Sequence, residues 1–195
     1  MARLVSLYWF RQDLRLADNP ALTAAAEAGA VLPVYILDDR HAGDHKMGGA
    51  SRWWLHNSLQ ALNDKLDGKL LVLKGDPVRL LPALAVASGA KKLFWNRCYE
   101  PWRIARDTAI KTELVEQGLH VESHNGSLLW EPWDVTKADG TPYRVFTPFF
   151  RRGCLGASSP RMPLPAPDQL DLVSLAYEQD GIAGLHLLPD IGWDK

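Results

Sequence analysis

Three charged residues follow an apolar run near the N-terminus. The run at residues 7–10 is followed at once by Arg11, Asp13 and Arg15. Two arginines and a carboxylate can compensate one another's charge when they are partly removed from water. The set can therefore cap the end of a sheet as an ion-paired cluster, or line a crevice that meets a ligand or another domain. The residue types allow both interpretations.

The stretch FWNRCYEPWRIARD, residues 94–107, holds a second group of candidates. Tyr99, Glu100 and Trp102 lie here between a predicted strand and a predicted helix. Aromatic side chains beside an anionic group suit a flat heteroaromatic ligand, because the rings can stack on it while the polar group fixes its orientation. Packing in the core accounts for Trp95 and Trp102 equally well.

Other chemical signals are weak. Gly48 and Gly49 precede a predicted helix with Ser51 as a candidate cap, and a free helix start can receive a carboxylate or phosphate. The chain lacks the Gly-x-Gly-x-x-Gly and Walker-type loops that hold dinucleotides and triphosphates. The histidines do not fall at metal-ligand spacing with a carboxylate or thiol, and no serine lies in a nucleophile elbow. We therefore expect neither a metal site nor hydrolase chemistry.

The composition limits the class of protein. The 195 residues are 47% hydrophobic and carry a formal net charge of −1, so the chain offers no basic face for gripping duplex DNA alone. Cys98 and Cys154 lie far apart, which predicts a reduced, cytoplasmic protein without a disulfide framework. No signal sequence is recognisable, and no apolar run reaches the roughly 20 residues that a membrane span needs.

Apolar runs alternate with helical patterns along the first 125 residues. Predicted strands occupy 3–10, 30–38, 69–76, 91–96 and 119–125, and predicted helices occupy 20–29, 51–66, 77–89 and 102–118. Asn19 caps the first helix and Pro20 takes its first turn. Because the strands are continuous apolar runs joined by short connections, we predict an α/β fold: a five-stranded parallel, Rossmann-like sheet with helices on both faces. Ligands of such sheets bind outside the carboxyl ends of the strands, where strand order reverses.

The composition and periodicity of the sequence change after residue 128. From Gly153 onward proline and glycine are dense and no periodicity is visible. This composition predicts a connector that is extended or partly polyproline. No further domain is predicted after this connector. We therefore expect either that the sequence is a fragment or that the segment wraps back on the domain.

Four motifs occur in an order and spacing that resemble a known family. They are YWFRQDLRLADNPAL, GGASRWWLHNSLQALNDKL, NRCYEPWRIARD and YRVFTPFFRR. Together, over residues 3 to 151, they resemble the N-terminal antenna domain of the DNA photolyase/cryptochrome family. The resemblance implies an α/β domain over residues 1–130 and an interdomain connector over 131–195, with the C-terminal FAD-binding helical domain absent.

The resemblance also implies a function. In a bacterial deoxyribodipyrimidine photolyase, the antenna chromophore absorbs light and passes the excitation to reduced FAD, which donates an electron to a cyclobutane pyrimidine dimer in DNA. The parent protein would then be a lyase, and this fragment would be inactive, with no catalytic residue of its own. Its partner would be the helical domain of the same protein, and we expect a monomer that binds neither DNA nor membranes.

Site residues follow from the same resemblance. The expected antenna contacts are Trp9, Phe10, Asp38, His45, Gly48, Gly49, Arg52, Glu100, Trp102 and Arg103. The expected interdomain or structural residues are Arg11, Asp13, Arg15 and Asn19, of which the three charged residues should be partly exposed and face the helical domain.

The chromophore is less well specified. Methenyl-tetrahydrofolate is favoured over a deazaflavin or FMN, and His45 matches a folate-contacting histidine. Trp102 and Arg103, however, replace the Asn-Glu pair of many folate binders, so an empty site is a further alternative. Two other functions stay open: a cryptochrome that signals blue light, and a nucleotide-binding module of the electron-transfer-flavoprotein-like fold, which lacks the Trp-Phe-Arg-x-Asp-Leu-Arg signature.

Overall fold

The computed structural model describes residues 4–189, in which five parallel strands form one sheet in the order β3-β2-β1-β4-β5. The strands are β1 (Val5–Phe10), β2 (Ala30–Leu37), β3 (Leu71–Lys74), β4 (Lys92–Asn96) and β5 (His120–His124). Every neighbouring pair runs parallel. The predicted fold class is confirmed, and strand order reverses between β1 and β4.

Four long helices connect the strands. They are α1 (Pro20–Ala28), α2 (Gly49–Lys65), α3 (Pro77–Ser88) and α4 (Pro101–Glu116). The Asn19 side chain accepts a hydrogen bond from the Leu22 N–H at 3.1 Å and so starts α1, as predicted. The prediction that Ser51 caps α2 is wrong. The helix starts two residues earlier, with Gly48 at the cap position and no side-chain cap.

The central strands β2, β1 and β4 are buried on both faces, which explains their continuous apolar runs. Tyr8 and Phe10 of β1 point to the face covered by α1 and α2. Leu7 and Trp9 point to the opposite face, covered by α3 and α4. Since successive side chains of a strand alternate between faces, every position of such a strand needs an apolar residue.

A buried polar network joins the exit of β1 to α1 and β4. Asp13 Oδ2 lies 2.7 Å from the Tyr8 hydroxyl and 2.5 Å from Asn96 Nδ2. Asn96 Nδ2 also lies 2.7 Å from Asn19 Oδ1, and all four side chains are buried. Burial, together with the neighbouring Asp13 carboxylate, raises the pKa of Tyr8 well above its ordinary value. Asn19 and Asp13 are therefore structural residues of this domain.

The expectation that Arg11 and Asp13 are partly exposed is wrong. They are only 7% and 5% exposed, because Asp13 closes the polar network and Arg11 turns inward onto α4. The interdomain role of these two residues thereby loses its support. Arg15 is exposed as expected, and its guanidinium donates to the carbonyl oxygens of Asp18 and Gly126 at 2.8 and 2.6 Å.

The segment after β5 returns to the sheet. Val31 of β2 donates its N–H to the Asp171 carbonyl at 2.8 Å and accepts from the Val173 N–H at 3.0 Å. Ile182 and Leu185 are buried in the core beneath α2. Of the two sequence-based explanations, the structure therefore agrees with a segment that wraps back on the domain. The predicted boundary at residue 130 stays a prediction.

The segment contains short helical turns, of which Gly181–Gly184 interrupts the stretch from Gly153 onward that was predicted to be extended. Residues Phe146–Pro148 and Phe149–Cys154 form consecutive helical turns, and Gly181–Gly184 form another. Gly153 and Cys154 are buried, and Gly153 packs so closely that an added Cβ would lie 2.7 Å from Val135 Cγ1. This close approach ties the first turns to the preceding loop.

The polar network predicts a strong effect of a small change at Gly126. A Cβ at this residue would lie 2.4 Å from Asn96 Cγ, whose side chain is fixed by its hydrogen bonds. We expect Gly126→Ala to lower the free energy of unfolding by about 1–3 kcal/mol, measured by urea denaturation. The control Gly49→Ala adds the same methyl group at the start of α2, where the new Cβ would have no neighbour within 4 Å. It should raise the free energy of unfolding by up to about 1 kcal/mol. Equal stabilities of the two variants would contradict the prediction.

Candidate functional site

A pocket of about 700 Å³ opens at the carboxyl edge of the sheet. Its walls are the exit of β1, the end of β2, the first half of α2 and the start of α4. It therefore lies beside the point where strand order reverses, where ligands of open α/β sheets bind. Trp9, Trp54 and Trp102 supply aromatic surface, and Arg103 and Arg106 supply positive charge.

Four of the ten predicted antenna residues line this pocket: Trp9, Asp38, Trp102 and Arg103. Phe10 does not, because its side chain is fully buried in the core cluster formed with Tyr8 and Leu22. Glu100 lies at the start of α4, where its Oε1 is 3.2 Å from Gln12 Nε2. As ligand contacts, all of these residues stay predictions.

The predicted residues of the loop before α2 lie outside the pocket lining. His45 is exposed in a short helical turn, Gly43–His45, and Gly48 and Gly49 are exposed at the start of α2. Arg52 forms an ion pair with Asp39 at 2.8 Å and donates to the Met47 carbonyl at 3.0 Å, so it fixes the loop rather than the cavity. The pocket wall is instead built by the residues that follow, among them Ser51, Trp54 and Ser58.

Among the pocket residues that were not predicted from the sequence are Trp54 and Arg106. Trp54 is 70% exposed on α2. Its spacing from Ser51 and Ser58, three and four residues away, places all three on one helix face and could have revealed it. Arg106 lies one helical turn after Trp102 and could have been found in the same way.

Arg106 is the centre of a buried ion-pair network. Its guanidinium donates to Asp38 Oδ2 at 2.9 Å and, through Nε and Nη2, to Asp107 Oδ1 at 3.0 and 2.8 Å. Asp107 also pairs with Arg11, whose other terminal nitrogen donates to the Asn96 carbonyl. Both arginine side chains are only 4% exposed. Two carboxylates thus compensate two cations at the floor of the pocket, as burial of these charges requires.

Asp38 is held as a carboxylate at the pocket wall. Its burial favours the neutral acid, but hydrogen bonds from the His41 backbone N–H and from Arg106 outweigh burial and lower the pKa of Asp38 below its usual range. The His41 ring contributes as well, with Nδ1 3.0 Å from Asp38 Oδ2. Asp38 is therefore ionised, and its carboxylate holds the Arg106 guanidinium in place.

Three arginines form cation–π contacts with two tryptophans of the pocket, and Arg106 contacts both rings. The guanidinium carbon of Arg106 lies 4.8 Å from the Trp9 ring centroid and 5.2 Å from that of Trp102. Arg11 lies 5.0 Å from Trp9, and Arg103 lies 4.8 Å from Trp102. We call these five residues the arginine–tryptophan stack. Cation–π contacts of this kind fix the orientation of the rings.

The arrangement suits binding of a flat, conjugated and anionic molecule. Within residues 4–189 no three side chains of His, Cys, Asp or Glu are grouped so that they could hold a metal ion. In the same part of the chain, none of the helices is both long and apolar enough to span a membrane. The pocket lining combines apolar side chains, aromatic rings and paired charges, groups that can hold and orient such a ligand.

Comparison with known proteins identifies the fold and the family. A family model described as DNA photolyase matches residues 6–168. The deoxyribodipyrimidine photo-lyase of Agrobacterium fabrum is 42% identical over 187 residues, and cryptochrome-2 of Arabidopsis thaliana is 38% identical over 178 residues. The crystal structure of a class III photolyase from Agrobacterium tumefaciens superimposes with a TM-score of 0.88 at 40% identity.

The matches cover nearly all of this chain but only part of its relatives. The alignment spans 94% of the chain and 38% of the Agrobacterium fabrum protein, and 89% of the chain and 29% of the Arabidopsis protein. The superposition covers 97% of the chain and 39% of the class III photolyase. These findings confirm the resemblance that the four motifs indicated. The chain belongs to the DNA photolyase family, within which it is homologous to both photolyases and cryptochromes.

Proposed function

We propose that the pocket binds a light-harvesting chromophore and that this domain is the antenna of a larger light-driven protein with FAD in a C-terminal helical domain. The observation that carries the proposal is a pocket of about 700 Å³ with tryptophan walls and a floor of ion-paired arginines. This volume is within the range of about 300–1,000 Å³ that is typical of sites for small ligands. A bound chromophore would supply the absorption of light, and the chain would place and orient it.

The charge of the pocket favours a chromophore with an acidic tail. Arg103 Nη1 lies 3.3 Å from Cys98 Sγ, and the Arg103 Nε, which makes no hydrogen bond within residues 4–189, forms a long ion pair of 3.7 Å with the half-exposed Glu100. Such a guanidinium has donors left for a carboxylate or phosphate. We favour methenyl-tetrahydrofolate, whose tail is anionic, with FMN and a deazaflavin as alternatives. The exposed position of His45 removes one argument for folate, so the charge of Arg103 is the stronger support.

Repair of DNA is the activity we propose for the parent protein. The identity of 42% with a deoxyribodipyrimidine photo-lyase favours dimer splitting, whereas 38% identity with a plant cryptochrome favours light signalling as the second candidate. The two candidate functions can be distinguished with a longer protein that also contains the region corresponding to the rest of these relatives. Only a photolyase splits cyclobutane dimers in illuminated DNA. We expect this chain alone to be an inactive, cytoplasmic monomer that does not bind DNA, in keeping with its net charge of −1.

The surface for the helical domain is proposed to be aromatic rather than charged. Phe146 and Phe150 are 72% and 44% exposed, and their rings stack with centroids 5.8 Å apart. Val145 and Phe149 beside them are also exposed, and we call these four residues the aromatic patch. Contiguous exposed apolar surface of this kind marks an interaction site. The connector proposed for residues 131–195 carries the patch.

The chromophore proposal predicts a role for Trp102. We expect the chain to bind methenyl-tetrahydrofolate, FMN or a deazaflavin in a titration followed by absorbance and fluorescence anisotropy. Trp102→Ala should raise the Kd roughly tenfold, because loss of one stacking ring removes about 1–3 kcal/mol. The control Trp133→Ala removes a tryptophan that is 62% exposed and outside the pocket, and should leave the Kd unchanged. No binding of any of the three, or equal weakening by both variants, would contradict the antenna function.

The partner proposal predicts a loss of docking when the aromatic patch is made polar. The probe is the C-terminal part of the Agrobacterium fabrum photolyase that this chain does not cover, produced separately. We expect association in analytical ultracentrifugation, and Phe146→Ser with Phe150→Ser should weaken it at least tenfold through lost burial of apolar surface. The matched control, Val86→Ser with Val115→Ser, changes two exposed apolar residues on α3 and α4. Absence of association, or equal affinities of the two double variants, would speak against this docking face.

A further inference from the structure

The tryptophans of the pocket present a difficulty for a light-harvesting site. Trp9 and Trp102 both line the pocket. An indole readily gives an electron to a photoexcited aromatic ring, and the electron then returns. No net oxidation results, but the absorbed energy is released as heat before it can be passed on. An antenna pocket walled by indoles therefore needs a means of making this electron loss unfavourable.

We propose that the arginine–tryptophan stack provides this means, by shielding the pocket tryptophans from oxidation by an excited ligand. A fixed positive charge over the ring raises the energy needed to remove an electron from it. The excitation then survives long enough to be transferred to a second pigment. This inference rests on the proposed antenna function and adds a role for the arginines beyond binding.

The geometry gives each of these indoles two cations. The Trp9 ring centroid lies 4.8 Å from the Arg106 guanidinium carbon and 5.0 Å from that of Arg11. The Trp102 ring centroid lies 4.8 Å from Arg103 and 5.2 Å from Arg106. Repulsion between a guanidinium and the positive charge left on an oxidised indole is strong at this distance, because burial reduces screening by water. Trp9 is only 1% exposed, so water screens it least.

The carboxylates that neutralise the arginines do not occupy the ring faces. Guanidinium N–H groups lie in the plane of the group, so Asp107 and Asp38 bind Arg106 at its edge while its central carbon lies over the indoles. Arg103 is the least compensated cation of the stack. Its Nε is 3.7 Å from Glu100 Oε2, and the Glu100 side chain is 42% exposed.

Trp54 provides an internal comparison. It also lines the pocket, but it is 70% exposed at the rim, and within residues 4–189 no guanidinium lies over its ring. By the same reasoning its indole is unshielded. Experiments on the stack are therefore best made in a Trp54→Phe background, so that quenching at the rim does not mask the effect of the arginines.

The test is the fluorescence lifetime of bound methenyl-tetrahydrofolate or FMN. In the Trp54→Phe background, Arg103→Gln should shorten the lifetime at least twofold. Adding Trp102→Phe should restore it, because phenylalanine is much harder to oxidise than tryptophan. The control Arg40→Gln removes a positive charge at the same edge of the sheet, from a side chain that is 71% exposed and paired with Asp76, and should leave the lifetime unchanged.

Two results would overturn the proposal. One is an unchanged lifetime of the bound ligand in Arg103→Gln. The other is a shortened lifetime that Trp102→Phe does not restore, since this would point to water entry or ligand motion instead of electron loss from the indole. Occupancy is measured separately by equilibrium dialysis, so that weaker binding is not mistaken for quenching.

A tethered probe keeps the test independent of the native ligand. Ser51 is exposed and lines the pocket, and Ser51→Cys offers a thiol for a flavin maleimide, whereas Cys98 and Cys154 are buried. If none of the free chromophores binds, the proposed antenna function is wrong. The fluorescence lifetime of the tethered flavin in the same variants still tests whether the arginines shield the tryptophans. Shortening in Arg103→Gln with recovery in the double variant supports shielding, and identical lifetimes overturn it.

Discussion

The pocket depends on one carboxylate that holds two buried cations. Asp107 pairs with Arg11 from the exit of β1 and with Arg106 of its own helix, and both arginine side chains are 4% exposed. Removal of one partner from a buried ion pair typically destabilises a protein by about 3–5 kcal/mol, because the remaining charge is left uncompensated. The pairing also fixes α4 against the end of β1, and α4 carries Trp102 and Arg103. The position of the aromatic wall thus follows from the satisfaction of buried charge.

The same arginines explain why tryptophan can be packed at a polar edge of the sheet. A guanidinium donates hydrogen bonds at its edge and offers an apolar face, so Arg106 can pair with Asp38 and lie on Trp9 at once. Lysine could not do both, since its charge is a compact and strongly hydrated point. Together with the Tyr8–Asp13–Asn96 network, the ion pairs tie the floor of the pocket to β1, β4 and α4.

How far the sequence predicts this structure depends on the range of the interactions involved. The strands, α1 and α3 were predicted well because apolar runs, the Asn19-Pro20 signal and the proline at Pro77 act locally. The direction of Arg11 could not be predicted, since its partner lies 96 residues away and sequence alone does not say that the side chain turns inward. The helical turns at Phe146–Pro148 and Phe149–Cys154 were hidden by neighbouring proline and glycine, although Phe146, Phe149 and Phe150 are at helical spacing.

The different roles proposed for the pocket and for the aromatic patch follow from the physics of an antenna. Excitation transfer by dipole coupling acts over long range, so a chromophore in the pocket need not touch the flavin that receives its energy. The domain must instead fix where the chromophore lies and how it is oriented, and then hold a constant position relative to the second domain. In the proposed antenna, the ion-paired pocket would meet the first need, and the aromatic patch at Phe146 and Phe150, in a different part of the chain, would meet the second. The chain spans 38% of the Agrobacterium fabrum photo-lyase, so in this proposal the whole chromophore site lies in this part and the chemistry lies in the remainder.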